Sequence, residues 1–363
     1  MDDDMDTLFK GVPNALFASA IPSKRDPSRL LPQIVAHRGY KAAWPENSLK
    51  GMREAIHAGA HAIETDVHLS KDGVVVMSHD PSLRRCFGVN KKIADCDWEY
   101  IAALRSKRPP HLGMPRLEDV LRLLGEDGME RVWCVLDIKI DDNAEKLLSA
   151  MSKVLGSVQG PVPWEQRILL GCWNYGDKAT FITTARRILP TFPLTHISWS
   201  RAYSRQFSAS IPNLGYSLHY SNLSGPFGRR FLEQTRHQHP TMPIFTWTVN
   251  QENWMQWVLN QNRVTARQPA RGGISSRRLM DAVITDDPRK FREACATWED
   301  ELDGKLATGK KKGGLAAHIR RGWDDLLEMA KFTVLWVVLF VARRATKRLD
   351  TLQDVSRGRM KLE

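Results

Sequence analysis

Two stretches decide the fold: Ile34-Val-Ala-His-Arg-Gly39 and Ala62-Ile-Glu-Thr-Asp-Val67. Each is a short run of apolar and β-branched residues, which is typical of a buried strand. Residues 47–59, which lie between the two stretches, have the pattern of a helix, and a third strand-like run follows at residues 74–78. The order strand, helix, strand predicts parallel strands joined by a helical crossover.

The polar residues on these runs indicate chemistry. Glu64 and Asp66 are two positions apart, so on a strand both side chains point to one side, where their oxygens can share a divalent cation. An unpaired charge in so apolar a run would cost several kcal/mol. His37 and His79 lie near the ends of neighbouring runs, where catalytic groups are commonly found. A lone histidine is more often structural, but the combination favours a metal-assisted acid/base site.

Strand-like runs recur along the chain with helical segments between them, which predicts a (β/α)8 barrel with parallel strands. There are nine such runs, so we expect one of them to be an extra or hairpin element. The runs are residues 34–37, 62–67, 74–79, 132–139, 168–173, 194–199, 215–220, 244–249 and 282–285.

An ordered series of motifs resembles the signature of the glycerophosphodiester phosphodiesterase family. The resemblance extends over roughly residues 33–296. The motifs are His37-Arg38-Gly39, Pro45-Glu46-Asn47-Ser48, Glu64-Thr65-Asp66, Ser70-Lys71-Asp72-Gly73, His79-Asp80, Arg116-Leu-Glu-Asp-Val120, Leu136-Asp-Ile-Lys139, Trp247-Thr-Val-Asn250 and Ile284-Thr-Asp-Asp-Pro288.

The resemblance implies a set of site residues and one divalent cation, Mg²⁺ or Ca²⁺. Asp137 joins Glu64 and Asp66 as the third metal ligand, although family members often carry Glu at this position. Arg38 and Lys139 match positions that bind the phosphate.

Four further side chains complete the expected site. His37 and His79 would act as base and acid, in an order that the sequence leaves open. Trp247 matches a family position in the substrate pocket, and Glu46 would orient the site. Trp173, Trp199 and Tyr220 also end strand-like runs, where an aromatic residue either contacts the substrate or caps the core.

Within the family, the chain is most similar to the fungal phosphatidylglycerol phospholipases C, through Leu136-Asp-Ile-Lys139, Trp164-Glu-Gln-Arg-Ile168 and the C-terminal tail. This resemblance predicts cleavage of phosphatidylglycerol to diacylglycerol and sn-glycerol 3-phosphate. The alternative is a glycerophosphodiester phosphodiesterase that releases glycerol 3-phosphate and an alcohol from deacylated phospholipids. A catalytically inactive barrel is disfavoured because every ligand and both histidines are present.

The charge distribution sets the expected domain organisation. Residues 1–30 are an N-terminal extension, 31–297 the catalytic barrel, 298–330 a basic linker and 331–363 a hydrophobic and basic tail. Residues 305–348 hold eleven Lys or Arg residues and three acidic ones, a large part of the chain's net charge of +12. Residues 332–342 carry no charge.

Eleven residues are too few to cross a bilayer, which takes about 20. The tail is therefore expected to enter one leaflet and to bind anionic headgroups. The alternatives are a helix packed on the barrel or an oligomer contact.

The remaining expectations concern compartment and partners. The five cysteines show no metal-type spacing, and an acidic N-terminus replaces the positive region of a signal peptide, so we expect free thiols in a reducing compartment. The protein is expected to be intracellular and membrane-associated, at the endoplasmic reticulum, lipid droplets or mitochondria. Its partners are a phospholipid or glycerophosphodiester substrate and an anionic membrane. Nucleic-acid binding is not expected because no base-reading module accompanies the charge, and no protein partner is implied.

Overall fold

The computed structural model describes residues 11–173, 180–263 and 278–305. The chain divides into two compact units, Met1–Asn174 with Thr180–Trp298 and Tyr175–Ala179 with Glu299–Glu363. The barrel and its site belong to the first unit. The described residues of the second unit, 299–305, form the last turn of a helix and the turn that follows.

The described residues alternate strands with helices. The strands are β1 (Ile21–Pro22), β2 (Leu30–Leu31), β3 (Gln33–His37), β4 (Ala62–Leu69), β5 (Val75–Met77), β6 (Trp133–Ile138), β7 (Ile168–Trp173), β8 (Leu194–Ser198), β9 (Gly215–His219), β10 (Ile244–Trp247) and β11 (Ala282–Thr285). The α-helices are α1 (Leu49–His57), α2 (Arg84–Phe87), α3 (Trp98–Ala102), α4 (Leu117–Leu124), α5 (Ala144–Ser157), α6 (Thr180–Ile188), α7 (Arg201–Ser210), α8 (Tyr220–Leu223), α9 (Gly225–Gln238), α10 (Glu252–Gln261) and α11 (Pro288–Leu302).

Eight parallel strands close into a barrel. Their order is β3, β11, β10, β9, β8, β7, β6 and β4, and β4 pairs back onto β3. The ninth predicted run is β5, which pairs antiparallel with β4 after a tight turn at Gly73, whose φ is +84°. The predicted (β/α)8 barrel is thus confirmed, and the extra run is a hairpin strand. The hairpin forms because Ser70 to Gly73 allow the chain to reverse, with the Ser70 hydroxyl accepting the Val74 amide at 2.8 Å.

Large aromatic side chains fill one part of the barrel interior. The Trp133 ring lies 5.8 Å from that of Phe245 and 5.6 Å from that of Phe17, and the Trp133 indole donates to Gln33 at 2.7 Å. Ala15 and Ala18 are buried in the same cluster. Part of the N-terminal segment therefore packs against the barrel core, where each buried large apolar side chain contributes about 1.5–3 kcal/mol.

Residues 78–116, between β5 and α4, form an insertion with its own small core. Leu83, Ile93 and Ile101 are almost completely buried in it. Arg108 fastens the insertion to the loop after β3, where it donates to the carbonyls of Ala42 at 2.8 Å and Trp44 at 2.7 Å. This contact places the insertion beside the carboxyl end of β3.

The membrane expectation concerns the tail. None of the helices in the described ranges is both long enough and apolar enough to span a bilayer. The predicted tail, 331–363, lies outside the described residues, as do residues 306–330 of the predicted linker.

Candidate active site

His37, the last residue of β3, meets a carboxylate from the neighbouring strand. Its Nδ1 lies 2.5 Å from Oδ1 of Asp286, which directly follows β11. Lys41 and Asn250 also contact Asp286, at 3.3 and 2.9 Å. Burial raises the pKa of Asp286, but the hydrogen bonds from His37 and Lys41 and the charge of Lys41 lower it to about 2. Since an ionised carboxylate only accepts, Nδ1 of His37 carries the proton and Nε2 is the atom left for chemistry.

His79 has a similar arrangement on the other side of the site, after the β5 hairpin. Its Nδ1 lies 2.7 Å from Oδ1 of Asp80. Arg85 of α2 binds the same carboxylate, with Nε 2.6 Å from Oδ2. Burial raises the pKa of Asp80, but the hydrogen bonds from Arg85 and His79 bring it to about 2. Asp80 therefore holds the proton of His79 on Nδ1, as Asp286 does for His37.

Both imidazoles favour the neutral form. Burial lowers the pKa of His37, and the hydrogen bond to Asp286 opposes this effect. Burial also lowers the pKa of His79, with Asp66 acting in the opposite direction.

Three buried carboxylates lie between the two histidines. Glu64 and Asp66 point inward from β4, and Asp137 lies opposite Asp66 on β6. One oxygen from each can be chosen so that all three lie within 4.8 Å of one another. The pKa of Glu64 is raised well above its usual value by burial and by the negative charges of Asp66 and Asp137.

Two cations interleave with these carboxylates. Lys139 Nζ lies 2.6 Å from Asp66 and 2.7 Å from Asp137. Arg38 Nε lies 3.3 Å from Asp66, and the Arg38 backbone amide donates to Glu64 at 2.9 Å. Burial lowers the pKa of Lys139, but Asp137 and Asp66 raise it more, so the ammonium stays charged.

The donor set fits a divalent cation. With Glu64, Asp66 and Asp137 all ionised, as they would be around a bound cation, their three negative charges exceed the two positive charges of Arg38 and Lys139 by one. Oxygen ligands of this kind are the ones that Mg²⁺ and Ca²⁺ take. A divalent cation would leave the site with one positive charge, which matches the single negative charge of a phosphodiester. Glu64, Asp66 and Asp137 would hold this cation.

Glu46 connects Arg38 to the insertion. Its carboxylate accepts from Arg38 at 3.0 Å and from two nitrogens of Arg85, both at 2.7 Å. Arg85 thus bridges Glu46 and Asp80, so it links the groups behind Arg38 and His79. Glu46 therefore lies beside Arg38 and supports its guanidinium group.

A pocket of about 270 Å³ opens beside His79, between the insertion and the barrel. Its lining combines cationic and apolar side chains with His79, Glu46 and Asp286. The cationic ones are Lys41, Arg85, Lys107 and Arg108, and the apolar ones include Met77, Phe87 and Leu112.

An aromatic cluster borders the opposite side of the carboxylates. Trp173 donates its indole N–H to Asp137 at 2.8 Å and packs on Trp247, with ring centroids 5.6 Å apart. Trp247 also packs on Trp199, at 4.7 Å. Trp173 therefore lies between Trp247 and the carboxylates. The Trp247 indole donates its N–H to the Ser217 carbonyl at 3.0 Å. Trp199 is 44% exposed.

The structure brings all nine sequence-predicted site residues to this region and adds four that the sequence analysis did not assign. Asp80, Arg85 and Asp286 orient the groups described above. Asn47, which the sequence marks as part of a helix start, donates to Asp66 at 2.9 Å and has a left-handed φ of 53°. Asp80, Asp286 and Asn47 stand within the sequence motifs of the family resemblance, and those motifs could have pointed to them. Arg85 has no such signal, because its role depends on how the insertion packs.

Comparisons with known proteins agree with this geometry. Residues 37–290 match the sequence model of the Glycerophosphoryl diester phosphodiesterase family. A glycerophosphodiester phosphodiesterase from Bacillus altitudinis is 25% identical over 233 residues, which is 62% of this chain and 90% of that protein. Lysophospholipase D GDPD1 of Homo sapiens is 34% identical over 90 residues, 25% of this chain and 26% of that protein.

A solved structure shares the fold. The Oleispira antarctica phosphodiesterase OLEI02445, in complex with the product sn-glycerol-3-phosphate, superimposes with a TM-score of 0.56 at 21% identity. The match covers 73% of this chain and 97% of that one. The family match extends from His37, the last residue of β3, to the first turn of α11, and the chain belongs to the glycerophosphoryl diester phosphodiesterase family.

Proposed function

We propose that the protein is a metal-dependent glycerophosphodiester phosphodiesterase, which hydrolyses a glycerophosphodiester to sn-glycerol 3-phosphate and an alcohol. One observation carries the proposal: a buried trio of carboxylates lies between two histidines, each oriented by its own aspartate. Family membership supports the reaction class. The product bound to the Oleispira antarctica phosphodiesterase supports the glycerol phosphate.

Arg38 and Lys139 would bind the phosphoryl oxygens, which become more negative as the nucleophile attacks. The divalent cation, when bound, supplies further positive charge to the same oxygens. One histidine accepts the proton of the nucleophile as the new P–O bond forms. The other donates a proton to the alkoxide as the old P–O bond breaks. Both act through Nε2 because Nδ1 of each is held by an aspartate.

The pocket beside His79 supports a polar substrate. Its lining includes cationic side chains and the carboxylates of Glu46 and Asp286, which suit a hydrophilic group better than two acyl chains. Cleavage of a deacylated diester is therefore favoured. A lysophospholipid, the class named by the human relative, is a further substrate to test.

Phosphatidylglycerol phospholipase C activity is a second candidate. The aromatic cluster of Trp173, Trp199 and Trp247 supports it, because a half-exposed tryptophan beside the site can contact an acyl-glycerol. In this reaction diacylglycerol leaves as the alcohol, and the products are diacylglycerol and glycerol 3-phosphate.

The test compares three substrates: glycerophosphoglycerol, lysophosphatidylglycerol and phosphatidylglycerol vesicles. Each is assayed with Mg²⁺, with Ca²⁺ and with a chelator, while glycerol 3-phosphate, lysophosphatidic acid and diacylglycerol are followed. We expect metal-dependent release of glycerol 3-phosphate from glycerophosphoglycerol to have the highest kcat/KM. Preferential diacylglycerol release would instead establish the phospholipase C. Absence of metal-dependent hydrolysis of all three would overturn the proposal, with His37→Gln as the inactive control.

A further inference from the structure

A groove lies on the outside of the barrel, between the amino-terminal halves of α7 and α9. Its volume is about 370 Å³. The side chains that matter here are Arg201, Arg205, Phe227, Arg230, Phe231 and Gln234. None of them belongs to the active site. We propose that this α7–α9 groove is a docking surface for an anionic phospholipid bilayer.

Charge is the first observation. Arg201 and Arg205 are one helical turn apart on α7, Arg230 faces them from α9, and no acidic side chain is among the described residues that line the groove. Arg201 donates to the Asn222 carbonyl at 2.6 Å, and Arg205 donates to the Gln234 side-chain oxygen at 3.2 Å. These acceptors are neutral, so they orient the guanidinium groups and leave their charge available. An anion-binding surface results.

Exposed apolar side chains are the second observation. Phe227, in the first turn of α9, is 75% exposed, the largest exposure among the described large hydrophobic residues. Trp199 is 44% exposed and directly precedes Ser200, the N-cap of α7. Aromatic side chains next to arginines are typical of proteins that lie at a bilayer interface, where the rings enter the headgroup region and the cations bind phosphates.

Position is the third observation. In a (β/α)8 barrel the helices begin at the end of the barrel where the strands end, and the active site opens at this same end. The first turns of α7 and α9 therefore lie at the same end of the barrel as His37 and the carboxylates. Docking through the groove would bring this end of the barrel close to a surface rich in phosphodiester headgroups. An acidic protein could also bind the arginines, but this partner would not explain why the groove lies at the same end of the barrel as the active site.

The expected strength follows from general values. A Lys or Arg near an anionic bilayer contributes about fivefold to partitioning. Reversal of all three arginines should therefore weaken binding to anionic vesicles by at least about 100-fold. Phe227→Ala removes an apolar side chain that is already exposed in water, so it should weaken binding, by about tenfold, without affecting the fold.

The experiment uses the full chain without substrate, so its outcome is independent of the proposed reaction. Binding to phosphatidylcholine vesicles, with and without phosphatidylserine as the anionic lipid, is measured by co-sedimentation. Amide hydrogen exchange then locates the contact. The first turns of helices suit this method because their N–H groups lack intrahelical acceptors. We expect residues 199–205 and 225–230 to gain protection with anionic vesicles alone, and to lose that protection in R201E/R205E/R230E and in F227A.

The matched control is K24E/R131E/K153E. It makes the same change in net charge at exposed positions outside the groove. It should bind and be protected as the wild type is. Thermal melts of all variants check folding. Unchanged exchange in the two segments on addition of anionic vesicles would overturn the proposal, even if the protein sediments. Equal loss of binding in the control would also overturn it, because net charge alone would then account for the attraction.

Discussion

Asp286→Asn tests whether the carboxylate beside His37 organises the chemistry. The two side chains are largely buried, at 14% and 22% exposure, and their contact is 2.5 Å long. A hydrogen bond to a charged group contributes about 1.5–3 kcal/mol. If the hydrogen bond to Asp286 stabilises His37 in its positively charged, doubly protonated form during the reaction, its loss should lower kcat/KM by about 10- to 150-fold. KM should change less than kcat, because Asp286 is not placed to bind the phosphate.

The pH profile of D286N gives a second readout. Asp286 raises the pKa of His37 against the effect of burial, so its loss should lower that pKa further. If His37 is the base, the acidic limb of kcat/KM moves to lower pH. If His37 is the acid, the alkaline limb moves to lower pH. The same experiment therefore decides which histidine has which role.

The neighbouring residue gives a matched control. Asp287 accepts from the Lys290 amide at 3.0 Å at the start of α11. Asp287→Asn should leave both the rate and the pH limbs near the wild type. Asp286 would have no role in organising His37 if D286N melts like the wild type, keeps more than half of the wild-type kcat/KM and shows the same acidic and alkaline limbs in its pH profile.

Three other substitutions test a metal ligand, the attachment of the insertion and a buried histidine. Asp137→Asn should raise the metal concentration for half-maximal activity at least about tenfold, measured after chelator treatment, whereas the exposed Asp141→Asn should not. Arg85→Lys should lower kcat/KM about tenfold because an ammonium cannot bridge Glu46 and Asp80 as a guanidinium does, with the adjacent Arg84→Lys as control. Burial lowers the pKa of His196 to about 3, so the unfolded chain takes up a proton below about pH 6.5 that the folded protein does not. His196 should therefore reduce stability by up to about 2 kcal/mol between pH 6.5 and pH 5, and His196→Gln, unlike the exposed His57→Gln, should remove this part of the pH dependence in urea unfolding.

Most of the barrel strands could be predicted because each one is marked by the pattern of a few consecutive residues. Each strand is a short apolar run, and the side chains at its end follow from the two-residue period of a strand. Glu64 and Asp66 could be placed on one side by this argument alone. The extra ninth run could be counted but not identified, because the antiparallel pairing of β5 depends on the turn at Gly73 and on contacts outside the run.

Groups that meet across the fold were harder to predict. Asp286 is far from His37 in sequence, and they meet because β11 pairs with β3 when the barrel closes. Arg85 lies in the insertion, and the two-residue period of the strands does not predict how the insertion packs on the barrel. The sequence pattern places Asn47 at the start of a helix, but the residue that caps this helix is Ser48. Its contact with Asp66 requires a left-handed backbone that the sequence did not reveal.

The insertion has a consequence for how activity is lost. His37 belongs to the barrel, whereas His79 lies where the hairpin passes into the insertion, and Arg85 and Arg108 fasten the two parts together. Local opening of the insertion would separate the proton donor from the proton acceptor while the eight-stranded barrel stays intact. Such opening takes less free energy than global unfolding. On mild heating, catalysis should therefore stop before circular dichroism reports any loss of secondary structure, so inactivation of this enzyme measures the attachment of one loop region.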